Sequence, residues 1–175
     1  AICLTIDYGQ RAAGAEIRAS SQICNELRLH HEILTARIPI LGAGDMSEHD
    51  SSLHSEHSEF WPFRNQYLIT LGAMVAIKHG CGIVLIGTVI TDKRHLDGSH
   101  EFVTSLDRTL ELQEGSIRLD SPAASMTSAE LVHHSRISDG VLGWAHSCHT
   151  GELACGHCRG CQKHSEVMME LGWPR

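Results

Sequence analysis

The sequence predicts an α/β domain built on a parallel sheet with crossover helices, and three observations carry that expectation. The chain has 175 residues, about one domain's worth at roughly 100–200 residues per domain. Short apolar runs rich in β-formers alternate with longer segments of helical periodicity, the pattern of βαβ units. Clusters of polar residues follow two of the apolar runs, where ligands bind in open parallel sheets.

Taken in order, Ile2 to Asp7 is a strand-like run ending in Asp7-Tyr8-Gly9-Gln10. Ala12 to Leu29 is helical, with Ala13, Ile17, Ser20, Cys24 and Leu27 at alternating steps of four and three. His31 to Ala36 is a second strand. Asn65 to His79 is a strongly apolar helix stopped by Gly80. Ile83 to Ile86 follows as a continuous apolar run, typical of a parallel strand covered on both faces. The polar loop Thr91 to His100 leads into a helix over Glu101 to Glu114, then a last strand at Ile117 to Leu119. Ser128 to Arg136 and Gln162 to Leu171 are the closing helices. Between the second strand and the apolar helix, Ile38 to Phe63 has no periodicity and is heavy in Gly, Ser, His, Asp and Glu. Loops of that length tend to be lids or disordered segments, and its histidines His49, His54 and His57 read as solvated, with adventitious metal binding as the sharper alternative.

Composition narrows the function classes. Hydrophobic content of 42% and charged content of 20% are globular values. No apolar run approaches the roughly 20 residues of a membrane helix. A formal charge of −7 leaves no basic surplus for gripping a polyanionic duplex. The chain opens Ala1-Ile2-Cys3-Leu4-Thr5-Ile6-Asp7 with no methionine, no basic n-region and no polar lead-in. Such an opening is a buried strand met at its first residue, and it predicts that further segments precede it in the natural protein.

Seven cysteines are unevenly spread. Cys3, Cys24 and Cys81 lie in apolar or helical surroundings and are expected as small core residues. Cys148, Cys155, Cys158 and Cys161 crowd together, and without a secretory signal that crowding points to a metal site rather than disulfides. Four thiolates suit tetrahedral zinc with no open position, so the site is structural. An iron–sulfur cluster is the metal alternative, and His146, His149 or His157 are alternative ligands for one thiol. Gly151, Gly156 and Gly160 are expected to supply the positive φ values the segment needs. The domain is expected over residues 1–143, with residues 144–175 as a metal-binding segment packed on it.

Four segments in register resemble one family. Asp7-Tyr8-Gly9-Gln10 resembles the DYGQ motif of QueC/ExsB-type 7-cyano-7-deazaguanine synthases, and Pro62-Phe63-Arg64-Asn65 resembles their PGRN segment. Gly87 through Phe102, with Thr91-Asp92, Asp97 and Glu101-Phe102, resembles their "G…TD…PD…EF" stretch. Ser147-Cys148 followed by Cys155-Gly156-His157-Cys158-Arg159-Gly160-Cys161 resembles their zinc-binding end.

The resemblance implies a three-layer, parallel-sheet PP-loop ATPase fold (adenine nucleotide alpha hydrolase-like) with a C-terminal zinc-binding segment. It implies a cytoplasmic, ATP-dependent carbon–nitrogen ligase, converting 7-carboxy-7-deazaguanine and ammonia to 7-cyano-7-deazaguanine in queuosine and deazapurine biosynthesis, or a closely related PP-loop ligase. Structural Zn2+, ATP with Mg2+ as co-substrate, and a homodimer come with it; membrane association and direct nucleic-acid binding do not. Arg64 and Asp97 are the implied catalytic residues. Asp7, Tyr8, Gln10, Asn65, Gly87, Thr88, Asp92 and Glu101 would bind nucleotide or substrate, and Cys148, Cys155, Cys158 and Cys161 the metal.

The departures from the family pattern are specific. The phosphate-binding SGGxDS loop, which precedes the DYGQ strand in the family, does not occur in this sequence. Phe63 replaces a glycine, Leu96 stands in the tyrosine-proline region, and His149 stands where a tyrosine is usual. Ser121-Pro122 leads to Thr127-Ser128 without the family's lysine. A catalytically diverged relative that binds nucleotide or deazapurine is therefore the alternative function. A zinc-ribbon nucleic-acid binder would need a basic surface near the metal, where only Arg159, Lys163 and the distant Arg175 are basic.

Overall fold

A computed structural model of the chain describes residues 1–92 and 94–173; Lys93, Pro174 and Arg175 lie outside the described residues. The fold is α/β with parallel strand pairing. It divides into two compact units, one formed by Ala1–Pro62 with Ser135–Arg175 and the other by Phe63–His134.

In the first unit, β1 (Ile2–Asp7) and β2 (His30–Thr35) pair in parallel from Ile2↔His30 to Asp7↔Thr35. The connection is α1 (Ala13–Glu26), which ends three residues before the expected Leu29. Arg28 adopts a left-handed φ of 55°, and the Leu29 N–H returns to the Cys24 carbonyl at 2.8 Å, closing the helix end. Cys24 is buried, while Cys3 and Cys81 are only partly so.

Residues 38–63 are neither an open lid nor irregular throughout. Short 3-10 turns form at Pro39–Leu41 and Gly44–Met46, and Asp45 N–H donates to the Ser58 carbonyl at 2.7 Å. Gly44 sits at φ +63°, and a Cβ there would fall 1.9 Å from the Ser58 oxygen, so only glycine fits. The anchor is Trp61, 2% exposed, which meets the Tyr8 ring edge-on at 4.9 Å between centroids. His49 and His54 face solvent. The loop also carries buried Met46 and Ser47.

In the second unit, α2 (Arg64–Lys78) and α3 (His100–Glu111) pack on the parallel pair β3 (Ile83–Leu85) and β4 (Arg118–Asp120). Ile69, Ala73 and Ala76 of α2 and Val103, Leu106 and Leu110 of α3 are spaced to share one face each, and they close on Ile117 and Leu119. Gly80 ends α2 as expected, at φ +66° with Cys81 N–H bonded back to the Ala76 carbonyl. The expectation of a strand covered on both faces is corrected: Val84 packs on the core, but Ile83 and Leu85 on the opposite face are exposed. α4 (Ser128–Ser135) closes this unit.

The C-terminal stretch returns to the first unit. A short helix that the sequence did not signal, α5 (Asp139–Gly143), is capped by the Ser138 hydroxyl. α6 (Arg159–Glu170) starts three residues earlier than expected, because Cys158 Sγ accepts the Cys161 N–H and caps an extra turn. Trp144 Nε1 donates to Glu26 at 2.9 Å, and Arg18 pairs with Glu152. Both contacts fasten this stretch to α1.

One ion pair supports the second unit directly. Asp107 of α3 accepts from Arg118 Nε at 2.9 Å, from Arg118 Nη2 at 2.6 Å and from the Leu119 N–H at 2.7 Å. The bonds from Arg118, then that from Leu119, hold the Asp107 carboxyl down at about 2 against an ordinary 3.8. A depressed folded-state value adds stability above the ordinary carboxylate range, lost as pH falls through about 2. Asp107→Asn is expected to lower stability at neutral pH by about 1 kcal/mol. Urea unfolding at stepped pH should show the wild-type and variant curves converging as the pH approaches 2.

Candidate functional site

The turn after β1 is built by its own side chains. Asp7 Oδ1 accepts the Gly9 N–H at 3.0 Å and faces Arg37 Nε at 3.5 Å. Gly9 turns at φ +101°, where a Cβ would press on the Pro39 ring at 3.1 Å. Gln10 is 4% exposed. Its Oε1 accepts from the Tyr8 N–H at 2.9 Å, while Nε2 donates to the Ile6 carbonyl at 3.1 Å and to Glu16 Oε2 at 2.7 Å. Both amide protons are thus engaged, leaving one acceptor lone pair. Tyr8 is buried against Trp61. Asp7, Tyr8 and Gln10 therefore form one cluster, in which Asp7 keeps a partly exposed carboxylate.

In the second unit the expected residues gather at the N-terminus of α2. Phe63 occupies the N-cap position without a side-chain cap. The missing cap comes from Asp97: its Oδ2 accepts the N–H of Asn65, 32 residues before it, at 3.2 Å, and Asn65 Nδ2 donates back to the Asp97 carbonyl at 3.1 Å. A carboxylate there also meets the positive end of the helix dipole. Arg64 Nε donates to Asn65 Oδ1 at 3.3 Å, which sets the guanidinium beside the pair. Asp92 is drawn to the same turn, since a Cβ on Gly98 would lie 3.3 Å from its carbonyl oxygen. Its Oδ2 accepts the Val89 N–H at 3.2 Å. Glu101 is exposed in the first turn of α3, which Ser99 caps through the Phe102 N–H.

Gly87 and Thr88 follow β3 at its carboxyl end. Nothing would meet a Cβ on Gly87 within 4 Å, so the backbone there is open. The Thr88 and Ser121 hydroxyls are hydrogen-bonded, and Ser121 Oγ also donates to the Thr88 carbonyl at 3.4 Å. Ser121 follows β4; the sequence drew attention to Ser121-Pro122 only for the lysine missing after it, and the position just past a short strand was the signal for a site residue.

The four cysteines expected to bind metal converge. The sulfurs of Cys148, Cys155, Cys158 and Cys161 all lie within 4.8 Å of one another, and among the described residues no histidine joins them. Cys155 and Cys161 Sγ are 3.9 Å apart. Tetrahedral thiolates at a metal–sulfur distance of about 2.3 Å would be about 3.8 Å apart, so the arrangement fits such an ion. Cys158 Sγ accepts N–H bonds from His149 at 3.4 Å and Cys161 at 3.5 Å, and Cys155 Sγ accepts from Cys158 at 3.3 Å. The Thr150 hydroxyl, with the His157 and Cys158 N–H groups, brings the Cys155 thiol down to about 5. Burial, acting first, pushes the Cys161 thiol up to about 12.

The glycines do different work from that expected. Only Gly156 of the three has positive φ, at +79°. Gly160 is required for space instead: a Cβ would lie 1.8 Å from the Ser147 carbonyl oxygen and 2.8 Å from the His149 ring. Gly151 would meet nothing within 4 Å.

A family model described as "Queuosine biosynthesis protein QueC" matches residues 1–172. The chain is 23% identical over 193 positions to a 7-cyano-7-deazaguanine synthase of Methanosarcina mazei, covering 98% of this chain and 84% of that protein. It is 28% identical to the synthase so named from Desulforudis audaxviator, with 100% and 88% covered. A third, from Campylobacter fetus, is 25% identical, with 92% and 78% covered.

The close approach at Gly160 gives a direct test of the metal site. Gly160→Ala must displace the Ser147 backbone or the start of α6, and so move Cys148 or Cys161. Atomic emission of purified protein should find well under half the wild-type metal per chain, and Tm should fall. Gly151→Ala, where space is open, should leave both unchanged.

Proposed function

The chain belongs to the QueC family, and from that premise we propose that it converts 7-carboxy-7-deazaguanine and ammonia to 7-cyano-7-deazaguanine at the expense of ATP. The observation that carries this reading is the meeting of Arg64, Asn65 and Asp97 at one helix N-terminus, within a chain matched to the family along residues 1–172.

A carboxylate is a poor electrophile, so one of its oxygens must first be converted to a leaving group. ATP supplies that activation and ammonia displaces the activated oxygen to give the amide; a second ATP activates the amide oxygen in the same way, and that oxygen leaves with the nucleotide fragment while the nitrogen gives up its two protons and the nitrile forms. Arg64 would pair with a phosphate or the substrate carboxylate, because its planar fork matches either anion. Asp97 would hold a substrate N–H while its Oδ2 keeps the α2 terminus closed. Thr88 and the open backbone at Gly87 would border the ligand at the strand ends. Within the first unit, Asp7, Tyr8 and Gln10 would shape the turn after β1.

The cysteine cluster would hold Zn2+. Four protein ligands fill its coordination, so its contribution is to the fold of residues 148–161 rather than to the reaction. Asp92, Asp97 and Glu101 offer carboxylate oxygens, the donor set suited to the Mg2+ that accompanies ATP. No helix of the described residues is long and apolar enough to cross a membrane.

Purified full-length protein should release the nitrile, followed by chromatography, only when the acid, ammonia and ATP are all present. Arg64→Ala should reduce that rate by roughly 100-fold, the order expected for loss of one charged group facing developing charge, with metal content unchanged. Nitrile formation by Arg64→Ala at the wild-type rate would remove Arg64 from the reaction.

A further inference from the structure

We propose that Phe63 is a stacking platform for a purine-type ring, a ligand-contacting residue of the site built on Asn65 and Asp97. The proposal rests on the functional reading above and adds a residue to it.

The backbone is the first observation. Among the described residues, four other than glycine have positive φ: Arg28, Phe63, Ser116 and Arg136. Arg28 and Arg136 follow the ends of α1 and α4, where a left-handed residue is the usual way to close a helix. Ser116 lies in the turn before β4, next to Gly115. Phe63 is different, because it stands at a helix start, with φ 56° and ψ 20°. Helix starts normally take an extended backbone, as Ser99, Ser138 and Cys158 do here with φ near −70° and ψ near 160°. A left-handed phenylalanine is disfavoured against glycine, and outliers of this kind cluster at ligand sites.

Exposure is the second. Phe63 is 74% exposed, so its ring gains little from packing and does not offset the backbone cost. Leu96, which immediately precedes Asp97, is 90% exposed. The Asn65–Asp97 hydrogen bonds bring these two chain segments together. Apolar side chains thus flank a cluster of an arginine, an amide and a carboxylate. That combination fits a flat heterocycle, which is apolar on its faces and carries donors and acceptors around its edge. The deazapurine of the acid and the adenine of ATP share that chemistry.

The experiment titrates metal-replete, full-length protein by calorimetry, with the acid and with a non-hydrolysable ATP analogue in separate arms. Phe63→Gly and Phe63→Leu should each weaken one arm by roughly tenfold, the range of a lost aromatic stack, whereas Phe63→Trp should stay within threefold of wild type. Weakening of the acid arm assigns the ring to the deazapurine, and weakening of the nucleotide arm assigns it to adenine. Phe63→Gly should at the same time raise Tm by relieving the backbone, so instability cannot mimic the lost affinity. Unchanged binding of both ligands by Phe63→Gly, in a protein whose wild type makes the nitrile, would overturn the stacking role alone. A wild type that binds neither ligand and makes no nitrile would overturn the functional reading and this proposal with it.

Discussion

Helix α2 has no cap of its own, and the second unit's candidate site depends on how that deficit is met. The first turn of any helix presents N–H groups with no intrahelical partner. Here residue 63 offers no side-chain oxygen, and the carboxylate that answers the Asn65 N–H arrives from Asp97. The 3-10 turn at Leu96–Gly98 is thereby tied to the start of α2. Arg64, Asn65 and Asp97 are neighbours as a consequence, and the Asp92 carbonyl lies against Gly98 of that turn. A cap supplied within the helix would have left that loop tied to α2 only through the Asn65 side chain.

The C-terminal stretch obeys a different constraint, that of close approach. Four sulfurs within bonding range of one ion require the chain to pass very near itself, and the nearest pass is between Gly160 and the Ser147 carbonyl. Three cysteine sulfurs accept or exchange hydrogen bonds with neighbouring N–H and hydroxyl groups, which favours thiolates over thiols. Metal binding at such a site is coupled to folding of the segment. The stretch is held on α1 by Arg18–Glu152 and Trp144–Glu26, two polar contacts that owe nothing to the cluster.

What was legible in the sequence was whatever has a local signature. The apolar runs gave the strands to within a residue or two, Gly80 marked the end of α2, and cysteine spacing picked out the four sulfurs that cluster. The illegible features are contacts between distant segments or steric conditions at one atom. Trp61 could not be placed under Tyr8 by periodicity, because residues 38–63 have none. Gly160 looked like a residue needed for its φ, yet its role is to have no Cβ. The Asn65–Asp97 pair spans 32 residues, a separation at which no pattern of spacing signals a hydrogen bond. The face of β3 carrying Ile83 and Leu85 misled for the opposite reason: a continuous apolar run was visible, but the described residues cover only one side of it.

Two of the motif residues show why a motif is not a list of ligand contacts. Gln10 directs both its amide protons and its oxygen at Ile6, Glu16 and Tyr8, and Asp97 directs one oxygen at a helix terminus. Removing either side chain would expose buried backbone groups as well as alter any ligand contact, and an unsatisfied buried donor costs about 1–3 kcal/mol. Lost activity on truncation at either position therefore reports the turn and the chemistry together. Arg64 and Phe63 are the residues where the two separate. Arg64 is neither the cap nor the capped N–H, and the Phe63 ring is exposed on a backbone that would be better served by glycine. Substitutions at these two positions leave the Asn65–Asp97 cap itself in place.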